Sequence, residues 1–521
     1  MKFGAVYCLY DDHEYLEVSF ESVKEQLDKV LFLMSDVPWN GRPKDNTATI
    51  EKVKELCRKN KNCEFVQGHW TNEIDQRNYG LQLFYSAGID YYFVIDSDEV
   101  YHVSHFEKIK LFILQNPHIA AFHIEWNTYW TKQYYVISPR EYYKPVIAVK
   151  VSSFLFTTIR HGITSVTRVG NVVLKSGGTD YNYAIIPSSL AICFHLSYAR
   201  TDEYMKRKLE TNSHAPEFLN GWYDNVWCKW KPGMKNLHPV TPKQYDQAVP
   251  EDFVIFPASL KTFIKKEKAR KCSIIILNWD SYDLLIRCIE LIQKNTLRQY
   301  EIIVVDNGSK DLPEGFKLKL LTYGISKVLI NAENKGFAGG VNHGIKLADP
   351  DSDICLMNVD AEPQQGWLEA LYATLLNNPS AGIIGPLGNK IYSGYQREGM
   401  FEKDTPLVNV HFYCALIFRE VINKIGILDT RYGLGGMEDN DYCIRANMAG
   451  YASWVSAKSL VTHEAHQTMK RHDVMPNEKG EEEKFKIMAM KLIQTLYDYN
   501  DLCNLYKLAP QLAEKCGLII R

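Results

Sequence analysis

Short, almost unbroken apolar runs alternate with longer stretches of mixed character along this chain. Phe3 to Leu9 is the first such run, and its lack of polar alternation predicts a strand buried on both faces. An amphipathic stretch separates it from a second run, Val30 to Met34. A further helical stretch leads to Tyr91 to Ile95, which ends in Asp96-Ser97-Asp98-Glu99. Strands alternating with helices predict a mostly parallel, Rossmann-like α/β sheet covered on both faces. The order then recurs. Ser273 to Leu277 is rich in β-branched residues, and Ser281 to Lys294 has helical period. Glu301 to Val305 is a strand ending in Asp306-Asn307-Gly308-Ser309, and Ile354 to Met357 leads into Asn358-Val359-Asp360.

The spacings repeat as well. In each half the first strand and the acidic turn lie about ninety residues apart, and an Asn-x-Gly triplet precedes the turn: Asn78-Tyr79-Gly80 and Asn342-His343-Gly344. About a hundred residues after each turn, a strand-like run ends in histidine, Ala191 to His195 and Leu460 to His463. Repetition on this scale predicts two α/β domains in tandem.

Length agrees, because 521 residues exceed what one hydrophobic core holds. The expected boundaries are a domain over 1–240, a linker over 241–271, a second domain over 272–480 and a helical tail over 481–521. Pro239, Pro242, Pro250 and Pro257 punctuate the linker, and the charged run Lys265 to Lys271 closes it. That run reads as a solvated linker, with a patch for anionic lipid or glycan as the second reading. In the tail, Met488, Leu492 and Leu496 stand at helical spacing.

Lysine and arginine total 60 against 62 acidic residues, which is not the footprint of a nucleic-acid binder. None of the twelve cysteines forms a C-x-x-C pair, so no zinc site is expected and the chain reads as reduced. Neither a signal-peptide pattern nor a membrane-spanning apolar run is visible. The expected location is cytoplasmic, with peripheral association at the inner face of the membrane as the alternative.

The chemistry sits in the acidic turns. A strand ending in Asp-x-Asp places carboxylates at the carboxyl edge of a parallel sheet, where open α/β sheets bind ligands. Carboxylates there repel each other unless a cation lies between them, and Mg²⁺ or Mn²⁺ accepts oxygen ligands while bridging to phosphates. A later histidine adds a compatible ligand. Glu438-Asp439 follows Gly435-Gly436 and opens a helical pattern. Acidic residues in a first helical turn stabilise the helix, and a carboxylate beside a hydroxyl proton is also a general base, so both roles stay open.

The second half resembles family 2 glycosyltransferases. Ser273 to Trp279 and Ile303 to Asp311 look like the nucleotide-binding opening of that family. Asn334 to Asn342 resembles the next motif of its rhamnosyltransferase-like branch, as do Asn358-Val359-Asp360, Gly366-Trp367-Leu368 and the segment Gly426 to Gly450. The resemblance implies a GT-A fold and inverting transfer from a nucleotide-diphosphate sugar to a glycan, lipid-linked or protein-linked acceptor. It implies nucleotide-sugar contacts from Asn278, Asp306, Asn334 and Asn342, a metal held by Asp360 and His463, and a base at Glu438-Asp439, with Asp439 as the base itself. Two departures stand out: Asn358 opens the metal turn in place of Asp, and the family's usual Gly-Ser is missing after His463.

The first half is similar to the same superfamily more loosely. Its Gln76 to Gly80 and Tyr92 to Glu99 look like the corresponding region of enzymes acting on cell-surface glycans. By that resemblance Asp36 and Asn78 are donor-binding candidates, and Asp96, Asp98 and His195 are the metal group. No Glu-Asp base motif recurs, and Glu125 and Glu141 are candidates on residue type alone. Trp126, Trp130, Trp222, Trp227 and Trp230 read first as core and second as sugar-stacking surfaces.

The expectation is a bifunctional, metal-dependent glycosyltransferase that uses Mn²⁺ or Mg²⁺ to build a surface glycan. One alternative keeps only the second domain catalytic and makes the first an acceptor-binding module. A more distant one is a sugar nucleotidyltransferase, but neither Leu9 to Asp12 nor Leu277 to Asp280 forms the Gly-rich phosphate loop that class needs.

Overall fold

The structure is a computed structural model. It describes residues 1–463 apart from 40–41, 153, 157–162, 170–171, 176–181, 212–216, 269–270, 326 and 390–395, and beyond 463 it describes Lys484 alone. The chain divides into two compact units, Met1–Lys261 and Thr262–Arg521. Apart from Lys484, the expected helical tail lies outside the described residues.

In the first unit the buried apolar runs become β1 (Phe3–Leu9), β2 (Lys29–Ser35), β3 (Cys63–Gly68) and β4 (Tyr91–Val94), all mutually parallel. They are connected by α1 (His13–Val23), α2 (Thr47–Lys59) and α3 (Glu73–Ser86). Every residue of β1 is buried, as a strand covered on both faces requires. The chain continues through β5 (Glu99–Val100), α4 (Val103–Gln115), β6 (Ala121–His123), β7 (Trp126–Trp130), β8 (Lys132–Ser138) and β9 (Val146–Lys150). A small antiparallel sheet of β10 (Phe154–Phe156), β11 (Ile163–Val169) and β12 (Val172–Lys175) follows. Then come β13 (Tyr183–Ile185), β14 (Cys193–Tyr198), α5 (Asp202–Thr211) and β15 (Gln247–Pro250). The main sheet runs β13-β6-β9-β4-β1-β2-β3, and β9 alone is antiparallel to its neighbours. A second sheet, β15-β8-β7-β14-β5, stands beside the acidic turn.

Helix α6 (Ala258–Lys268) crosses the boundary between the units. In the second unit β16 (Cys272–Asn278), β17 (Glu301–Asp306), β18 (Lys327–Ile330) and β19 (Asp353–Asn358) are parallel. They alternate with α7 (Tyr282–Asn295), α8 (Phe316–Thr322) and α9 (Gly336–Leu347). Helix α7 buries Leu285, Cys288, Ile289 and Ile292, the i, i+3, i+4, i+7 stripe of a helix laid on a sheet. Next come β20 (Ala361–Pro363), α10 (Trp367–Asn377), β21 (Ala381–Leu387), β22 (Thr405–Leu407), β23 (Cys414–Ile417), α11 (Arg419–Ile425), α12 (Glu438–Met448) and β24 (Ala452–His463). The path is β18-β17-β16-β19-β23-β21-β24-β20, with β22 on β24.

With β20 and β22 set aside and the strands of each main sheet counted in chain order, both sheets follow 3-2-1-4-6-5-7 with the sixth strand reversed. The chain is α/β with two mostly parallel sheets, as expected. Two parts of the expected linker are corrected. Strand β15 pairs with β8, so residues 247–250 are built into the first unit. Lys265, expected in a solvated run, is buried and donates to the carbonyls of Leu375, Asn378, Pro379 and Ala381. These carbonyls stand at and just beyond the end of α10, where a helix leaves acceptors unsatisfied and a cation is favoured.

Among the described residues, no helix is long and apolar enough to cross a membrane.

Candidate active sites

One register places the histidine beside the acidic turn in both units. In the first, β5 pairs antiparallel with β14 and sets Glu99 opposite His195. In the second, β20 pairs antiparallel with β24 and sets Ala361 opposite His463. Asp98 and Asp360 each immediately precede the paired residue, so they occupy equivalent places.

The Asn-x-Gly triplets are also equivalent, and each asparagine bonds to distant backbone. Asn342 Nδ2 donates to Leu428 O at 2.8 Å, and Leu428 N donates back to Oδ1 at 3.0 Å. Asn78 does the same with Phe156, at 2.9 Å in each direction. Each side chain therefore ties distant backbone through one N–H and its oxygen, a bridging role beside the expected donor-binding one. The glycines serve close packing: a Cβ on Gly80 would lie 3.0 Å from Val6, and one on Gly344 would lie 2.5 Å from Ile275.

In the second unit Asn278 and Asp306 end adjacent parallel strands and pair in register. Asn278 Nδ2 donates to Asp306 Oδ1 at 2.7 Å, and Ser309 Oγ donates to the same oxygen at 2.6 Å. Ser309 N donates to Oδ2 at 3.0 Å. The structure therefore brings these two candidates together as one buried group, in which Asn278 Oδ1 has no hydrogen-bond partner among the described residues. Asn334 joins them indirectly: its Oδ1 accepts from Asn307 Nδ2 and from Gly336 N, each at 2.8 Å, and so braces the start of α9.

Asp360 and His463 meet at the far side of the turn. His463 Nε2 lies 2.9 Å from Asp360 Oδ1, with both side chains buried. Tyr413 stacks on the imidazole at 4.8 Å between ring centroids. Among the described residues, no lysine or arginine pairs with Asp360. An oxygen and an imidazole nitrogen side by side, without a competing cation, fit a divalent ion.

Glu438 and Asp439 open α12 behind Met437, whose φ is 76°. Burial, reinforced by the neighbouring Asp439, pushes the Glu438 carboxyl up to about 8. Its Oε2 is buried without a hydrogen-bond partner among the described residues, as suits a protonated acid. Asp439 Oδ2 lies 3.5 Å from His411 Nδ1. Lys484 donates to the carbonyl of Gly435 in the preceding turn. His411, Tyr413 and Lys484 carried no signal in the sequence, because nothing local marks a residue that reaches a site from another element.

The first unit encloses a cavity of about 610 Å³ against the carboxyl ends of β1 and β4. Asp96, Asp98 and His195 line it, as expected, but their charge partners differ from expectation. Arg77 lies 3.0 Å from Asp96. Asp98 Oδ2 is 2.7 Å from Arg200 and 3.6 Å from Lys208, while its Oδ1 is 3.9 Å from His195. Burial by itself would raise the Asp98 carboxyl, but Lys208, Arg200 and His195 together hold it well below the usual carboxylate range. Burial and Arg200 push the Lys208 ammonium down to about 8. These carboxylates are already neutralised by protein cations, so the group does not fit a divalent ion in the way the sequence suggested. No cluster of three or more His, Cys, Asp or Glu side chains suited to a metal occurs among the described residues.

Asp36 is corrected too. It follows β2 but is half-exposed, pairs with His69 at 2.8 Å and does not line the cavity. Trp130, Trp222 and Trp227 pack in one core cluster with Met205 and Tyr245. Trp126 instead lines the cavity and lies 4.1 Å from the His195 ring.

Residues 273–426, within the second unit, match the family described as Glycosyl transferase family 2. In particular, the chain is 28% identical over 196 residues to glycosyltransferase AglE of Haloferax volcanii, covering 34% of this chain and 62% of that relative. It thus spans about three fifths of the length of the curated relative it matches. Among solved structures it is similar to S. aureus TarS 1-349 in complex with UDP-GlcNAc, at 14% identity and a TM-score of 0.38, covering 47% of this chain and 73% of that one. It is also similar to mannosyltransferase PcManGT of Pyrobaculum calidifontis, in complex with GDP-Man and Mn²⁺, at 12% identity and a TM-score of 0.35, covering 50% and 80%.

Proposed function

We propose that the chain is a nucleotide-sugar-dependent glycosyltransferase whose second unit transfers a sugar with inversion to a glycan, lipid-linked or protein-linked acceptor. The observation that carries this reading is the Asp360–His463 pair, with no lysine or arginine on Asp360 among the described residues, in a unit whose residues 273–426 match family 2. Asp360 and His463 would hold Mn²⁺ or Mg²⁺, which when bound supplies positive charge against the leaving diphosphate. Asn278 and Asp306 form the polar floor where the strands end, suited to the base or ribose of the donor.

A sugar hydroxyl is a poor nucleophile at neutral pH, so a carboxylate must take its proton. Glu438 is held as the neutral acid, which leaves Asp439 as the base of the pair. Asp439→Asn should lower the transfer rate of the second unit by about 10²–10⁴ while nucleotide binding persists. Wild-type transfer by this variant would overturn the assignment.

The shared strand order and register support a second transfer centre in the first unit, making the chain bifunctional. The neutralised Asp98 favours the other reading, in which the first unit binds acceptor only. Asp98→Asn separates them, since it should abolish one transfer in the bifunctional case and none in the other.

A further inference from the structure

The first unit has no Glu-Asp motif, yet Asp12 and Glu141 line its cavity without an ion pair to lysine or arginine among the described residues, and Asp12 accepts on both oxygens, from Tyr10 N at 3.0 Å and from Ser97 Oγ at 3.2 Å. Glu141 follows β8 and lines the same cavity as Asp98 and His195. Thr128 Oγ1 donates to Glu141 Oε1, and Tyr245 OH donates to the same oxygen at 2.9 Å. Both bonds fall on Oε1, so Oε2 has no protein donor among the described residues. The other candidate on residue type, Glu125, is instead paired with Arg140 at 2.6 Å and Lys144 at 3.9 Å.

The sheet explains how Glu141 reaches the acidic turn. Strands β7 and β14 pair in parallel with Thr128 opposite His195, and Thr128 Oγ1 is 3.3 Å from His195 Nδ1. A polar chain therefore runs from His195 through Thr128 to Glu141, and Asp98 Oδ1 lies 3.9 Å from His195 Nε2 at its other end. Tyr245, which fixes the carboxylate from the other side, lies between Thr241 and Asp246 in the segment expected to be linker; the second sheet draws that segment in.

We propose that Glu141 is the catalytic base of a transfer centre in the first unit, aimed by Thr128 and Tyr245 and taking the acceptor hydroxyl proton on Oε2. This rests on the two-centre reading above. The acceptor oxygen would form its bond to the anomeric carbon as the bond from that carbon to the diphosphate oxygen breaks. The electron pair leaves with the diphosphate, and the proton ends on Glu141. Burial pushes this carboxyl upward, against the two hydrogen bonds it accepts, toward the range where a base works near neutral pH.

The test uses the full chain carrying Asp439→Asn, so that the second unit is silent. Transfer and donor hydrolysis are followed with a panel of UDP-, GDP- and dTDP-sugars, and nucleotide binding is followed by calorimetry with the free diphosphates. In that background E141Q should bind nucleotide within about threefold of its parent while kcat falls about 10²–10³-fold, the span typical of a lost base. T128V keeps the carboxylate but removes one of its donors. It should cost about tenfold in kcat at unchanged KM and shift the acid limb of the pH profile, and it serves as the test if E141Q does not fold. If Asp98→Asn abolishes the residual transfer but E141Q leaves kcat within about threefold, the base lies elsewhere and the proposal fails while the two-centre reading stands. If the Asp439→Asn parent has no residual transfer and Asp98→Asn does not change its nucleotide stoichiometry, the two-centre reading fails and the proposal with it.

Discussion

Replacing Asn342 with alanine removes two hydrogen bonds at once, to the carbonyl and from the amide of Leu428. Asn342 is 4% exposed and Leu428 3%, so water does not readily replace the lost side chain. Two buried backbone groups are left unsatisfied, at about 1–3 kcal/mol each, which puts the expected loss at roughly 2–6 kcal/mol. For a unit of this size, 1 kcal/mol moves the midpoint by about 2–4 °C, so the unfolding midpoint of the second unit should fall by roughly 4–24 °C. Differential scanning calorimetry on the full chain measures this, with nucleotide affinity taken well below the transition. Asn78→Ala should act likewise on the first unit through Phe156. An unchanged midpoint combined with lost nucleotide binding would show that Asn342 is a donor ligand after all, and that its backbone bridge is incidental.

Removal of divalent cations by chelation and dialysis should abolish transfer by the second unit and Mn²⁺ or Mg²⁺ should restore it; full activity after dialysis would remove the roles given to Asp360 and His463. Glu438 is raised in the folded state, so its contribution is fully present below the ordinary glutamate value and is lost as pH rises toward about 8. Glu438→Gln, a mimic of the neutral acid, should flatten that fall in urea-unfolding stability between about pH 5 and 8, and an unaltered slope would count against the burial argument. Arg200→Met strips Glu14 of its buried partner and leaves Asp98 to Lys208, and should destabilise the first unit by about 3–5 kcal/mol, read from its unfolding transition.

Much of the plan was legible because it is written in local pattern. The Phe3–Leu9 run is β1 to the residue, and Ser281 to Lys294 differs from α7 by one residue at each end, since continuous burial and a 3.6-residue stripe depend on near neighbours. The four recurring landmarks carried the repeat, and the two sheets share one strand order. The placement of Asp98 beside His195 and of Asp360 beside His463 followed from the same landmarks, through strand pairing.

What tertiary structure decided was the partner of each polar side chain. Asn78 and Asn342 looked like ligand groups, but their amides face the backbones of Phe156 and Leu428, each more than seventy residues away. Asp98 looked like a metal ligand, and folding placed Arg200 and Lys208 against it. Lys265 looked solvated, and folding buried it on the carbonyls at the end of α10. Glu141 was one glutamate among many until the pairing of β7 with β14 and the return of the 241–250 segment set Thr128 and Tyr245 on it. Hydrophobic periodicity reports which face of an element is covered. Which distant donor, acceptor or charge meets a given side chain depends on strand order and crossing loops, and the residues beside it in sequence do not encode those.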